Sequence, residues 1–134
     1  MSLQVRIITP DRIVWNTSAE EVVLPSTTGQ LGILVNHTPL ITAIEVGVLR
    51  VKIDKNWTPM VLLGGFAEIE DNQVTILVNG VEEVSTIDIN EAKSALNAAS
   101  EQLESANSSK EIIEASQNLK KASARLQAAS FLSN

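Results

Sequence analysis

A change in composition near Thr86 is the feature of this sequence that most constrains its fold. All 6 glycines and all 4 prolines lie before that residue, where β-branched residues alternate with polar ones in short runs. After it, Ala, Ser, Glu, Lys and Leu dominate. Because Gly and Pro interrupt helices and β-branched residues favour strands, the two parts need different secondary structure. We therefore predict two domains, residues 1–87 and residues 88–134.

The first domain is predicted to be an antiparallel β-sandwich. Alternation places Leu3, Val5 and Ile7 on one face of the first strand. The dipeptide Asp71-Asn72 separates two later runs, which is typical of a two-residue hairpin, and Gly64-Gly65 predicts a bulge or close backbone packing. Many short strands with no helical segment between them indicate a sandwich or a barrel.

The second domain is predicted to be an antiparallel hairpin of two helices. Apolar residues recur every seven positions, and alanine fills half of that pattern. Because alanine buries little area, we expect an ordered but marginally stable hairpin that is loosely held to the sandwich. Both a moving part and a static appendage fit this pattern. The heptad residues are Ile89, Ala92, Leu96, Ala99, Leu103 and Ala106 in the first helix, and Ile112, Ala115, Leu119, Ala122, Leu126 and Ala129 in the second.

Charge and residue types exclude several classes of function. A net charge of −6 and only four aromatic residues argue against binding to nucleic acid. Without cysteine and with one histidine, the chain has no thiolate or multi-histidine metal site. No apolar run reaches the roughly 18 residues of a membrane span, and the N-terminus has neither a signal-peptide nor an import-peptide pattern. We expect no cofactor, no metal, only indirect membrane association, and synthesis in the compartment where the protein works.

The run STTGQLGILVNHTPLIT, residues 26–42, holds two glycines and the single histidine. Gly29 and Gly32 lack the downstream Gly-Lys-Ser/Thr of a phosphate-binding loop, and a strand-like run follows them. No motif links His37 to an orienting acid and a nucleophile, so a small hydrolase using His37 is the weakest hypothesis. A non-catalytic turn that touches a partner is favoured.

Three basic residues of the second helix, Lys120, Lys121 and Arg125, fall on or near one face. Such a run is usually a solvated face with helical i,i+4 support. The alternative is electrostatic contact with an acidic surface on a partner. The charge pattern leaves both interpretations open.

Several runs, in family order and across nearly the whole chain, resemble the ε subunit of rotary F-type ATP synthases, in particular those of chloroplasts and cyanobacteria. The resemblance implies a sandwich of about ten strands in two sheets followed by the two-helix hairpin, in a non-catalytic subunit of the central rotor stalk. The runs are VRIITPDRIVW, AEEVVLPSTTGQLGILVNHTPLITAIEVGVLRV, GGFAEIEDNQVTILVNGVE, TIDINEAKSAL and KKASARLQAAS.

The resemblance also implies partners and a location. The sandwich would bind the γ subunit and the membrane-embedded c-ring, coupling proton flow to rotation and ATP synthesis. The hairpin would extend toward the α/β catalytic head and inhibit ATP hydrolysis. The subunit would lie peripherally on a thylakoid membrane, on the stromal side in a chloroplast or the cytoplasmic side in a cyanobacterium. The implied docking residues are Ser26, Thr27, Thr28, Gly29, Gln30, Leu31 and Gly32, with His37 toward γ, and the implied regulatory ones are Asp88, Glu91, Lys120, Lys121 and Arg125.

Some members of that family bind ATP through an Ile-Asp-x-x-Arg-Ala motif at the start of the first helix. The matching run here is residues 87–92, in which Glu91 stands where the arginine would be. Because a carboxylate repels phosphate, we expect no physiological ATP site. A free-standing binding module with a helical docking arm is the alternative from a different class.

Overall fold

The computed structural model describes residues 2–132 and contains a β-sandwich with a helical hairpin on one face. The eight strands form one continuous hydrogen-bonded sheet in the order β2-β1-β7-β6-β5-β3-β4, with β8 paired to β6. The elements are β1 Leu3–Thr9, β2 Arg12–Ala19, β3 Glu21–Ser26, β4 Gly29–Leu34, β5 Leu40–Ile53, β6 Asn56–Glu70, β7 Gln73–Val78, β8 Val81–Glu83, a 3₁₀ turn Val84–Thr86, α1 Ile89–Glu104 and α2 Ser109–Leu132.

A bend in the two longest strands lets one sheet supply both layers. The pairing of β5 with β6 runs as far as Ile44 with Gly65 and resumes at Val46 with Leu63. Gly64 and Gly65 have φ of +90° and +153°. A Cβ on Gly65 would lie 2.7 Å from the Cα of Val78 on the neighbouring strand. Glycine is therefore required at this bend, as the Gly64-Gly65 pair predicts.

The predicted sandwich is confirmed, but its strand count and pairing need correction. The register of β5 with β6 is the same on both sides of the bend, so each is a single strand and the total is eight. Counting their halves separately gives the expected ten segments. The sheet is also mixed, because β7 lies parallel to β1. The direction of β7 is set by its antiparallel hairpin with β6. In that direction β7 lies parallel to its other neighbour, β1.

Large aliphatic side chains fill the space between the layers. Leu3, Val5 and Ile7 are fully buried, which confirms the alternation predicted for β1. The turn at Asp71-Asn72 has positive φ at both residues, as does the turn at Asp54-Lys55. Positive φ at both central positions is the geometry of the type I′ turn that suits a right-twisted hairpin. Both turns are thus two-residue hairpin connections, and the one at Asp71-Asn72 confirms the prediction from the sequence.

The helical hairpin is folded against the sandwich through alanine. Ala124, Ala128 and Ala129 of α2 are buried in one cluster with Val48 and Val61 of the sheet. The seam between α1 and α2 is also alanine-rich, with four residues buried: Ala92, Ala99, Ala115 and Ala122.

The large residues of the predicted heptads behave differently from the alanines. Leu96, Leu103 and Leu119 are only half-buried, and Ile112 is 45% exposed. Ala106 lies beyond the end of α1. Four of the six heptad alanines are thus buried in the seam, whereas Ala129 is buried against the sheet and Ala106 lies outside α1. The close approach that alanine permits leaves the longer side chains at the margins of the contact.

Candidate partner-binding surfaces

The turn between β3 and β4 presents polar groups on a fixed backbone. Ser26 is buried, and its hydroxyl donates to the Gly29 carbonyl oxygen at 2.6 Å while accepting from the Thr28 N–H at 3.3 Å. Thr27, Thr28 and Gln30 are exposed. Gly29 has φ +119°, a conformation open to glycine. Ser26 therefore holds the turn in shape, and its neighbours form the accessible surface.

The predicted docking residues do not form one site. Strand β4 leads from Gly29 to Leu34, and His37 follows at the far end of the sandwich. At about 3.3 Å per residue, six strand residues separate the two ends by roughly 20 Å. Leu31 is half-buried against the core, whereas Gly32 is exposed on the edge strand. The turn and His37 can therefore contact different partners.

The surroundings of His37 hold it in a loop. Its Nδ1 is 2.6 Å from the Thr38 carbonyl oxygen, so this nitrogen donates, and its backbone N–H donates to the Leu34 carbonyl oxygen at 3.2 Å. The cleft beside it, of about 320 Å³, is lined by Asn36, His37, Pro39, Asp71 and Asn72. That lining contains an acid but no hydroxyl, thiol or amine nucleophile. The arrangement therefore gives no support to the hydrolase hypothesis.

The composition and motif arguments missed an apolar row across the outer surface of five strands. Ala43, Phe66, Leu77, Ile8 and Ile13 are successive cross-strand neighbours on β5, β6, β7, β1 and β2. Phe66, Leu77 and Ile13 are 61%, 47% and 59% exposed. At about 4.8 Å between strands, this outer row spans roughly 20 Å. A contiguous exposed apolar patch on a rigid sheet is typical of a protein-binding surface.

The sequence does contain a signal for the outer row. Glu68 and Glu70 are predicted to lie on the solvated side of β6, and both are exposed. Phe66 has the same parity, so it must share that side. A large aromatic side chain on the solvated, acidic side of a strand therefore indicates a contact surface. Leu77 gives the same indication on β7, because Val74, Ile76 and Val78 fill the inward positions and Leu77 must point outward.

Asp88 and Glu91 lie at the start of α1. The Asp88 carboxylate accepts from the backbone N–H groups of Asn90 at 2.8 Å and Glu91 at 3.1 Å, so Asp88 is the N-cap. At the start of α2, the Ser108 hydroxyl accepts from the Glu111 N–H at 3.1 Å. The Glu111 carboxylate accepts in turn from the backbone N–H of Asn107. A capping box would use the N–H of Ser108, one residue later. Each of the two helices thus begins with a side-chain cap.

Lys120, Lys121 and Arg125 of α2 contact acids of the same chain. Lys120 lies 3.4 Å from Glu45, and Lys121 lies 3.7 Å from Glu82. The Arg125 Nε is 2.9 Å from a Glu82 carboxylate oxygen. Both of these atoms are shielded from solvent but are not aligned as a hydrogen bond, so the contact is an ion pair.

These ion pairs change the interpretation of the basic face. In this structure it is neither simply solvated nor turned toward a partner. It lies against an acidic surface, as the second interpretation of the charge pattern required, but that surface is the chain's own sandwich. Glu45 sits at the bend of β5 and Glu82 on β8, so the pairs flank the alanine contact of α2.

Residues 2–132 contain neither a helix suited to a membrane span nor a cluster suited to a metal ion. None of the helices there is long and apolar enough to cross a membrane. The same part of the chain has no group of three or more His, Cys, Asp or Glu residues arranged to hold a metal ion. The surfaces that remain are the polar turn, the loop at His37, the outer row and the basic face of α2.

These features define a class of protein: a two-domain assembly subunit with a rigid sandwich and an alanine-packed helical hairpin. The family model described as the ATP synthase Delta/Epsilon chain beta-sandwich domain matches residues 2–84. The model for the long alpha-helix domain of the same chain matches residues 85–130. The chain therefore belongs to the ATP synthase delta/epsilon chain family, which confirms the resemblance noted in the sequence.

Individual relatives agree with that assignment. The chloroplastic ATP synthase epsilon chain of Pyropia yezoensis is 62% identical over 100 residues, 75% of each chain. The ATP synthase epsilon chain of Thermosynechococcus vestitus is 60% identical over 99 residues, 74% of this chain and 72% of that one.

Solved structures agree with the fold. A chain in the mitochondrial ATP synthase of Euglena gracilis (OSCP/F1/c-ring) matches with TM-score 0.84 at 20% identity, over 96% of this chain and 81% of that one. A chain in the central stalk/c-ring structure of the Tetrahymena thermophila mitochondrial ATP synthase also matches, with TM-score 0.63 at 14% identity, over 96% of this chain and 97% of that one. At these identities the two structures bear on the fold alone.

Proposed function

We propose that this protein is a non-catalytic rotor subunit in the central stalk of an F-type ATP synthase. In this proposal residues 1–87 bind the γ subunit and the c-ring, and residues 88–134 regulate ATP hydrolysis. The subunit couples proton flow through the c-ring to rotation. It lies peripherally on a thylakoid membrane, since one of the relatives named above is chloroplastic and the other cyanobacterial.

The outer row is the observation that carries this proposal, and we assign it to γ. An exposed apolar row on a rigid sheet suits a partner that stays bound, because its exposure to water would otherwise be unfavourable. The opposite layer is covered by α2, so the two outer faces of the sandwich have different occupants. The polar turn at residues 26–30 is left for the c-ring, at a separate position from His37.

Binding to γ is tested by replacing Phe66 and Leu77 with serine. We expect the double variant F66S/L77S to lose at least tenfold in retention on immobilised γ, because it removes two large apolar anchors. The matched control is Ile113→Ser, which replaces an isoleucine 63% exposed on the hairpin. Both variants should unfold within about 0.5 kcal/mol of the parent in urea. Undiminished retention of F66S/L77S would exclude the outer row as the γ surface.

Contact with the c-ring is tested at the exposed part of the turn. We expect Thr27→Ala combined with Thr28→Ala to leave retention on γ unchanged but to lower ATP-driven proton pumping in reconstituted vesicles. The buried Ser26 hydroxyl keeps its bond to Gly29, so the turn stays folded. Unaltered pumping per ATP hydrolysed would argue that this turn makes no contact important for coupling.

The regulatory part is tested by deleting residues 88–134. In ATPase heads depleted of their own ε subunit, the full chain should inhibit ATP hydrolysis and the truncated chain should not. The truncated chain should still be retained on γ. The competing hypothesis, a free-standing binding module with a helical docking arm, predicts that neither chain is retained on γ.

We also propose that the hairpin binds no ATP at physiological concentration. Glu91 is exposed in the first turn of α1, where its charge opposes a phosphate group. Equilibrium dialysis of the full chain should detect no ATP binding below millimolar concentration. Glu91→Gln, which removes the charge and keeps the shape, serves as the comparison. Sub-millimolar binding by the parent would contradict the proposal.

A further inference from the structure

The last turns of α2 are held to the sandwich by a contact different from the ion pairs. The Arg50 guanidinium carbon lies 5.3 Å from the ring centre of Trp57 and 5.0 Å from that of Phe131. Trp57 belongs to β6 and Phe131 to α2, so one cation joins a ring from each domain. Two of the chain's four aromatic residues are used here. A guanidinium within about 6 Å of a ring centre is attracted by the ring's negative face.

The position of Arg50 follows from the register of β5. Val46, Val48 and Arg50 alternate along the side of β5 that faces α2, while Leu49 and Val51 point into the core. Lys120 of α2 meets Glu45, and Phe131 meets Arg50. Eleven helical residues at about 1.5 Å and five strand residues at about 3.3 Å both span roughly 17 Å, so α2 runs along β5.

We propose that Arg50, Trp57 and Phe131 form a clasp that keeps the C-terminal end of α2 docked when the ion pairs are screened. The ion pairs of Lys120 and Lys121 join side chains that are 27–49% exposed, and salt weakens such pairs more than the shielded contact of Arg125 with Glu82. Stacking of a weakly hydrated guanidinium on aromatic rings depends less on ionic strength than an exposed ion pair does. The hairpin is thus fastened at two positions that respond differently to ionic strength. The clasp acts within one chain and does not depend on binding to γ or the c-ring.

Hydrogen–deuterium exchange of the full chain measures this clasp directly. The amides of residues 120–132 report on docking, and those of β7 report on the fold of the sandwich. We expect Phe131→Leu, which keeps apolar bulk but removes the ring, to speed exchange of residues 120–132 about two- to fivefold, the range of one exposed cation–π contact. Arg50→Met should have a similar effect. The double variant should exchange no faster than the faster single variant, because each change breaks the same contact.

Two controls separate the clasp from general loosening. Lys52 lies on β5 like Arg50, and its Nζ is 5.9 Å from the ring centre of Trp57, but it is not part of the stack with Phe131. Lys52→Met should therefore leave the exchange of residues 120–132 unchanged. In 1 M NaCl, where the screening length falls to about 3 Å, the effect of Phe131→Leu should persist. The proposal is overturned by additive effects in the double variant, by an unchanged rate in Phe131→Leu, or by loss of its effect in 1 M NaCl. A change in β7 exchange in a variant would attribute its effect to the sandwich and would also count against the clasp.

Discussion

The sandwich and the hairpin bury different side chains, and this difference predicts which of them is held more weakly. Leu24, Leu49, Leu62 and Ile69 are almost completely buried between the layers of the sandwich. A fully buried side chain of this size contributes ~1.5–3 kcal/mol, whereas a single buried CH₂-sized group contributes about 0.8 kcal/mol. Among the helix side chains that the structure describes, those that are buried are alanines. The sandwich can therefore keep its structure while the hairpin separates from it.

The two outer faces of the sandwich extend the same comparison. One carries the exposed outer row, and a partner that covers it gains apolar burial. The other is covered by α2 through alanines, three ion pairs and the clasp. Contacts of the second kind are individually weak, so we predict that docking of the hairpin is reversible. The structure thus combines a face suited to permanent binding with one suited to reversible binding.

The largest effect is expected when leucine is replaced by alanine in the sandwich, and the same replacement in the hairpin is the comparison. Leu62→Ala leaves a cavity in the sandwich core and should lower the free energy of unfolding by about 2–5 kcal/mol. Leu119→Ala removes a half-buried side chain from α2 and should cost less than about 1 kcal/mol, because water replaces it. Urea unfolding followed by circular dichroism measures both. Equal losses would contradict the view that the core of the sandwich carries most of the stability.

A smaller effect should follow from overfilling the contact between α2 and the sheet. Ala128 is fully buried against β5 and β6, so Ala128→Leu should disfavour docking by about 1–3 kcal/mol. The exposed Ser123 provides the control, since Ser123→Leu places the same new side chain on the solvent side of α2. Limited proteolysis should cut the helices of Ala128→Leu faster while sparing the sandwich. Similar cutting of both variants would show that the docked contact adds no protection.

Much of this fold follows from local sequence rules. Alternation identified the core face of β1, and the two-residue dipeptide at residues 71–72 identified a hairpin. The continuity of β5 and β6 through the bend could not be predicted, because it depends on where Gly64 and Gly65 meet a neighbouring strand. The parallel pairing of β1 with β7 likewise joins segments some 70 residues apart, which no local pattern specifies.

The candidate site shows a similar division. The polar turn and the basic face of α2 could be recognised by residue type, but their contacts could not. Sequence does not reveal that Glu82 receives both Lys121 and Arg125, since this requires the register of β8 against β6 and the placement of α2. The outer row depends on cross-strand pairing in the same way.

Removing one acid from the sandwich should loosen the hairpin more at low than at high ionic strength. Glu82→Gln breaks two ion pairs and should disfavour docking by about 1 kcal/mol in low salt and by less in 1 M NaCl, where the exposed pair with Lys121 is screened. Hydrogen exchange of α2 measures the change. Glu68→Gln is the control, because Glu68 is an exposed acid on the other layer and should not alter exchange of α2. A loosening of equal size in high salt would mean that Glu82 acts through packing instead of charge.

The smallest expected effect is a pH dependence that belongs to the surface of the sandwich. The Thr9 hydroxyl donates to the Asp11 carboxylate at 2.8 Å, and this bond, aided by the backbone N–H of Asp11, lowers the pKa of Asp11 below its ordinary value of 3.8. Because the folded pKa is the lower one, the stabilisation is present above pH 3.8 and is lost as the pH falls through the folded pKa.

Thr9→Val removes the hydroxyl that lowers the pKa of Asp11 and keeps the β-branched shape that suits the strand. In this variant the pKa, measured by NMR titration of the Asp11 carboxyl carbon, should rise toward its ordinary value. The difference in stability between parent and variant should shrink as the pH falls below that range, because a protonated carboxyl no longer favours the bond. Asp11 is exposed, so solvent screening keeps the difference small. A large and pH-independent loss would mean that this turn, and not only the aliphatic core, determines the stability of the sandwich.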